Sequence, residues 1–134
     1  GDIAVFGDTK FAYYSKDGEL IGTYEYPYQL SDFSAGVSTS AILLQREEFR
    51  KSTLVIINDV NTPITIELDK TAKGVYTSEK EVYVLTTDEL IAYSFDGVKI
   101  DSINVSDNYT GFVKIDDYVF LNGYNEINRT EFAD

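Results

Sequence analysis

The sequence predicts an all-β protein assembled from four-stranded antiparallel units, and three observations carry that expectation. No window of 11 residues shows a 3.6-residue apolar period, whereas short runs rich in Val, Ile, Tyr, Phe and Thr recur along the chain. Turn-forming residues separate the runs, among them Asp17-Gly18, Asn58-Asp59 ahead of Pro63, Asp96-Gly97 and Asn122-Gly123. The chain also repeats itself, because a shift of 79 residues lays Ile3–Tyr24 on Val82–Ile103 without a gap. Six positions are then identical: Val5/Val84, Tyr14/Tyr93, Ser15/Ser94, Asp17/Asp96, Gly18/Gly97 and Ile21/Ile100. Ile3/Val82, Phe6/Leu85 and Phe11/Leu90 are conservative pairs besides, so the unit reads as a duplication.

The elements follow in order. Ile3–Phe6, Ala41–Leu44, Leu54–Ile57, Ile64–Ile66 and Val82–Leu85 read as strands, since β-branched and aromatic side chains pack well on a pleated surface. Asp-Gly between two such runs reads as a type I′ hairpin turn, with positive φ at both central residues. In the best-marked unit Gly74–Thr77 is strand a, Val82–Thr86 strand b, Glu89–Ser94 strand c and Val98–Val105 strand d. A Gly followed by Val or Phe recurs at Gly36-Val37, Gly74-Val75 and Gly111-Phe112, spaced 38 and 37 apart. Polar residues open apolar runs at Asp2, Ser40, Glu81 and Asp117, spaced 38, 41 and 36 apart. Both markers give a unit of ~40 residues, the size of one propeller blade, and the recurring Gly is expected on the innermost strand, where blades crowd. The buried set should include Ile3, Val5, Leu43, Ile56, Ile66, Val82, Val84, Ile91, Val113 and Val119. A two-sheet sandwich is the alternative, and the regular Gly spacing favours the propeller.

Read in phase, the chain is b-c-d, then a-b-c-d twice, then a-b-c. That is about fourteen strands, or about three and a half blades of a partial propeller or arc, in one domain with units near 1–30, 34–69, 72–106 and 110–134. Propellers typically close with about four to eight blades. The expectation is a segment of a longer propeller, an arc capped by a partner, or a chain that assembles with its own copies. Unpaired edges at Asp2–Phe6 and near Asn125–Phe132 would drive self-association through the terminal blades. The chain begins at Gly1 and has no Met, so Gly1 reads as an expression scar or a processing product, and any membrane anchor lies in a segment outside this chain.

Composition narrows the function. With 23 acidic and 11 basic residues the net charge is −12, which argues against nucleic acid as a partner. The absence of Cys removes thiolate nucleophiles and Cys-based zinc sites, and the absence of His removes the Ser-His-Asp triad and imidazole ligands. The adjacent carboxylates Asp116-Asp117, Glu47-Glu48 and Asp88-Glu89 read as solubilising charges rather than an acid–base pair, because neighbours on a strand point to opposite faces. Asn58–Thr62 and Ser106–Asn108 offer oxygen ligands, but Asx turns explain them better than calcium. No Gly-rich phosphate loop occurs. No catalytic, cofactor or metal residue is therefore assigned.

What remains are the b–c and d–a connections, which open on one face of a propeller. Glu25–Phe33 and Gln45–Ser52 are read as long loops that mix aromatic and charged residues, and Asp107-Asn108-Tyr109 is a shorter patch of the same kind. Tyr26, Tyr28, Asp32, Arg46, Arg50 and Tyr109 are the candidate ligand-binding residues, suited to a protein or glycan partner.

Glu89–Ile100, which reads Glu-Leu-Ile-Ala-Tyr-Ser-Phe-Asp-Gly-Val-Lys-Ile, resembles the strand–turn–strand of PQQ-like β-propeller repeats, and Tyr13–Leu20 repeats it. Those repeats usually carry a Trp after the turn. This chain has no Trp, and no cofactor is expected. The acidic, Tyr-rich style also resembles propeller-like ectodomains of Gram-positive bacteria. The resemblance implies a propeller fold and a non-catalytic binding or scaffold role at the cell surface, with the cytoplasm as the alternative location. The competing function is a fragment of a carbohydrate-active propeller enzyme whose catalytic residues lie in absent blades.

Overall fold

The computed structural model describes residues 2–46, 48, 50–105, 109–115, 118–123 and 126–130; within 109–130 it describes the backbone and, of the side chains, Phe112. Fourteen strands and no α-helix occur among these residues. They form four antiparallel sheets in chain order. The first holds β1 (Ile3–Phe6), β2 (Lys10–Tyr14) and β3 (Leu20–Glu25). The second holds β4 (Gln29–Ala35), β5 (Ser40–Arg46), β6 (Lys51–Ile57) and β7 (Ile64–Glu67). The third holds β8 (Ala72–Thr77), β9 (Glu81–Thr86), β10 (Glu89–Ser94) and β11 (Lys99–Asn104). The last holds β12 (Tyr109–Ile115), β13 (Tyr118–Gly123) and β14 (Glu126–Thr130). Each sheet is a simple meander, and the order b-c-d, a-b-c-d, a-b-c-d, a-b-c is that of a partial propeller with the three-stranded sheets at its two ends.

The core lies between sheets, and strand alternation builds it. Ile42, Leu44, Val55 and Ile57 on one face of the second sheet pack with Phe11, while Ala4, Phe6, Tyr13 and Tyr24 close the same layer. Ala41, Leu43, Leu54 and Ile56 on the opposite face pack with Val82, Val84, Ile91 and Tyr93 of the third sheet. The other face of that sheet offers Tyr83, Leu85, Leu90 and Ala92 to Phe112 of the last. Because successive residues on β5, β6, β9 and β10 serve two different interfaces, the middle of each strand is a continuous apolar run rather than an alternating one. Burial at ~25 cal/mol per Å² makes these layers the main source of stability.

Four expectations need correction. Ile3 and Val5 are exposed, at 50% and 45%, because β1 turns Ala4 and Phe6 toward the second sheet and Ile3 and Val5 away from it. Ile66 is half-buried at the edge of its layer. The glycine marker was out of phase: Gly74 and Gly111 sit at register shifts within the innermost strands β8 and β12, but Gly36 lies in the turn after β4, and the residue at the matching shift in β4 is Asp32. The Asp-Gly hairpins are also a different turn. Gly18 and Gly97 have φ of 86°, whereas Arg50 is the one described non-glycine residue with positive φ. Gly18 N–H donates to Ser15 O, and Ser15 N–H to Glu19 O, with the same pair of bonds at Gly97, Ser94 and Val98. That is a type I turn closed by a glycine bulge, in which only the Gly needs positive φ. Leu43, Ile56, Val82, Val84 and Ile91 are buried as expected. The side chains of Val113 and Val119 lie outside the described residues.

Candidate functional site

One end of the arc gathers the connections that were read as ligand loops, and a repeated backbone clasp builds it. Tyr26 N–H donates to Thr9 O at 3.0 Å, Leu68 N–H to Ser52 O at 2.9 Å and Val105 N–H to Asp88 O at 2.9 Å. In the first and third sheets the chain leaving strand d is thus tied to the b–c turn, and in the second to Ser52 at the start of strand c. The first and third clasps are related by the 79-residue repeat.

The loops are shorter than expected. β3 ends at Glu25 and β4 begins at Gln29, so Leu30–Phe33 is strand, and β5 and β6 extend inward to Arg46 and Lys51. The candidate residues accordingly divide. Tyr28 and Arg50 are exposed, Arg50 at φ 53° with its carbonyl accepting from Thr71 Oγ1 at 2.6 Å. Tyr26 packs its ring against the layer of Phe11 and Leu44, and burial, with Asp8 next, raises its hydroxyl pKa. Its hydroxyl is buried with no hydrogen-bond partner among the described residues. Asp32 points sideways into the arc: its Oδ2 accepts from Val75 N–H at 3.0 Å.

Arg46 holds the frame. Its Nη1 meets Glu67 at 2.6 Å, and its Nη2 donates to Leu68 O at 2.7 Å and to Ser52 O at 3.1 Å. One guanidinium therefore fastens β7 and the chain beyond it to the adjoining ends of β5 and β6, a task suited to its planar fork of donors. Tyr109 opens β12, and its side chain lies outside the described residues.

Sequence reasoning missed a charge cluster beside this frame. Lys70 Nζ lies 2.6 Å from Asp88 and 2.5 Å from Glu89, and Lys99 lies 3.8 Å from Glu89. The hydrogen bonds to Lys70 hold both carboxyls below the ordinary carboxylate range and raise Lys70 in turn. Asp88 is in the turn and Glu89 opens β10, so the opposite-faces rule for strand neighbours fails and both reach one ammonium. A cleft of about 160 Å³ between Glu67, Lys70, Glu89, Tyr93 and Lys99 lies beside them.

The Asn58–Thr62 loop is structural. Asp59 Oδ1 accepts from Asn61 N–H at 2.9 Å, an Asx turn, and Asn58 bridges Thr39 Oγ1 to Phe95 O. No group of three or more metal-ligating acidic side chains occurs among the described residues, and no described helix is long and apolar enough to cross a membrane. Ser106–Asn108 falls outside the described residues.

No family model and no curated protein matches the chain. Solved structures do match its fold. BamB from Moraxella catarrhalis superposes with a TM-score of 0.74 at 12% identity over 97% of this chain and 43% of its own. Sqt1 from Saccharomyces cerevisiae gives 0.67 at 9% identity over 99% and 41%. BBS1N, solved in complex with ARL6DN, gives 0.65 at 13% identity over 97% and 46%. The chain thus spans less than half the length of these structures. The likeness agrees with the propeller fold that its repeats resemble.

Proposed function

We propose that the chain is a non-catalytic binding or scaffold domain that recognises a protein or glycan partner at a bacterial cell surface. The observation that carries this reading is the division of labour at the clasped end of the arc. Arg46, Glu67 and the backbone clasps fix the connections, while Tyr28 and Arg50 are exposed and their side chains make no hydrogen bond or ion pair among the described residues. An exposed aromatic and an exposed cation on a rigid platform suit recognition at low entropic cost. The structure of BBS1N bound to ARL6DN supports a protein partner for this kind of fold. The surface location rests on the resemblance of this acidic, Tyr-rich sequence to propeller-like ectodomains of Gram-positive bacteria.

The test is binding of the purified domain to a bacterial cell-wall glycan array and, by photo-cross-linking, to intact cells. Tyr28→Ala and Arg50→Ala should each weaken the captured interaction about tenfold or more, as truncated anchors do, with unfolding midpoints unchanged. Undiminished binding in the double variant would overturn the assignment of this end as the recognition surface.

A further inference from the structure

The cleft beside the Lys70 cluster holds a buried polar group with nothing to bind. Tyr93 lines it. The residue is only 6% exposed, its side chain packs in the layer between the second and third sheets, and its hydroxyl makes no hydrogen bond among the described residues. Burial first, and the charge of Glu89 next, raise its pKa, so the phenol stays protonated and offers both a donor and an acceptor. Leu68 and Ile91, both buried, give the cleft an apolar side.

Charged groups of both signs complete it. Lys99 Nζ stands 3.8 Å from Glu89, beyond hydrogen-bond distance, so its donors remain open to a ligand. Glu67 meets Arg46 through one oxygen and keeps acceptor sites, since an ionised carboxylate has about four. Asp69 is exposed and lines the cleft as well. The repeat shows that the blade does not need this set. At the 79-residue offset Tyr93 falls on Tyr14, but Glu89 falls on Lys10, Lys99 on Leu20 and Asp88 on Thr9. The cleft also adjoins Arg50: Lys70 O accepts from Ser52 N–H at 3.0 Å, and the next residue, Thr71, donates its hydroxyl to Arg50 O.

We propose that this cleft seats one neutral sugar ring, an inference that rests on the glycan form of the function proposed above. The mixture of signs selects that class. A cationic side chain would meet Lys70 and Lys99, and an anionic group would meet Glu67, Asp69 and Glu89. Ring hydroxyls both donate and accept, so they satisfy ammonium and carboxylate side by side, and Tyr93 gains the partner it lacks. The C–H groups of the ring match Leu68 and Ile91. A volume of about 160 Å³ lies below the ~300–1,000 Å³ of pockets for larger ligands, which suits a single ring.

Saturation-transfer NMR on the 134-residue chain tests this with glucose, galactose, mannose and N-acetylglucosamine as separate probes. At least one should give a saturable signal with a dissociation constant in the millimolar range. Tyr93→Phe, which keeps the ring, and Lys99→Met should each weaken it about threefold or more, with melting temperatures unchanged. Tyr28→Ala combined with Arg50→Ala should leave it intact, because one ring fills the cleft alone. No saturable signal from any of the four sugars, or a signal that neither cleft variant weakens, would overturn the proposal. Binding of a penta-arginine peptide where the sugars fail would overturn it too, and would make the cleft a seat for a basic protein segment. A sugar signal lost only in the Tyr28→Ala, Arg50→Ala variant would uphold the projecting residues as the recognition surface and overturn the cleft.

Discussion

The Asp32 carboxylate accepts the backbone N–H of Val75 at 3.0 Å, and Ser34 Oγ accepts that of Thr77 at 2.8 Å. The innermost strands of successive propeller sheets are too far apart to pair as a ladder, yet β8 still presents donors on its inner side. Alternate side chains of β4 meet those donors, which fixes one sheet against the next at the axis where packing is tightest. A Cβ on Gly74 would stand 3.5 Å from Asp32 Oδ2, an ordinary van der Waals contact, so this bond does not by itself require glycine there.

Asp32→Ala should therefore destabilise the domain by about 1–3 kcal/mol, the usual loss when a partly buried donor forfeits a charged acceptor. Asp32→Asn keeps an acceptor oxygen and should lose less. Urea unfolding followed by far-UV circular dichroism measures both. Asp32→Ala with Ser34→Ala should show coupling, since the two bonds close one contact. A neutral Asp32→Ala variant would mean the bond does not hold the sheets together.

The Lys70 cluster gives the stability a pH signature. A carboxyl whose pKa is lower in the folded protein adds stability that is complete above its unfolded value, near ~4, and is lost as pH falls through the folded one. Asp88 and Glu89 behave this way. Lys70, raised by the same bonds, adds stability that is complete below about 10.4 and is lost as pH rises through its folded value. Lys70→Met should thus lower the melting temperature most between about pH 6 and 9, with the deficit shrinking below pH ~4 and above ~10.5. High salt should shrink it too, because the groups face solvent. A deficit that is constant from pH 3 to 9 would point to lost packing of the lysine stem instead.

What the sequence made legible was local. Strands b, c and d of the third sheet were readable almost to the residue, because β-branched runs bounded by Asp-Gly leave few other structures open. What it hid was relational. Ile3 and Val5 match Val82 and Val84 in chemistry, and only the neighbouring sheet decides which pair is buried. Gly36 followed by Val37 looks like Gly74 followed by Val75, although one pair sits in a turn and the other in a strand. Arg46 read as a loop cation because its partners, Glu67 and the Leu68 carbonyl, lie about twenty residues away in another strand's surroundings.

The two Asp-Gly turns, identical in sequence, should respond differently to the same substitution. Both glycines have φ of 86°, so Gly18→Ala and Gly97→Ala share a backbone penalty of about 1–2 kcal/mol. Gly18 has nothing within 4 Å of an added Cβ, whereas at Gly97 the methyl would stand 2.9 Å from Ile64 Cγ2. Ile64 belongs to the layer between the second and third sheets, so it can give way only by disturbing Leu54 and Ile56 nearby. Gly97→Ala should be the more destabilising variant by at least about 1 kcal/mol, a typical cost of overpacking. Equal losses in parallel thermal melts would show that the turn, and not the packing above it, sets the cost.

The duplicated face yields the sharpest contrast. Val84 is fully buried among Leu43, Leu54 and Ile56, and Val84→Lys would force an ammonium into that layer. Its cost should be about 4 kcal/mol or more, enough to abolish cooperative unfolding in a small domain. Val5 is the same residue at the same place in the repeat, yet half of it meets solvent, so Val5→Lys should shift the unfolding midpoint little. Its effect should appear in association. With the face of Ile3, Val5, Leu20 and Ile21 uncovered, the 134-residue chain on its own should self-associate at micromolar concentration despite its charge of −12, since salt screens the repulsion between like surface charges beyond about 8 Å at physiological ionic strength. Ile3→Lys with Val5→Lys should return it to a 15.1 kDa monomer by light scattering. If the unmodified chain is already monodisperse at that mass, the exposed face does not drive association; if the double variant unfolds as Val84→Lys does, the face is not open in solution.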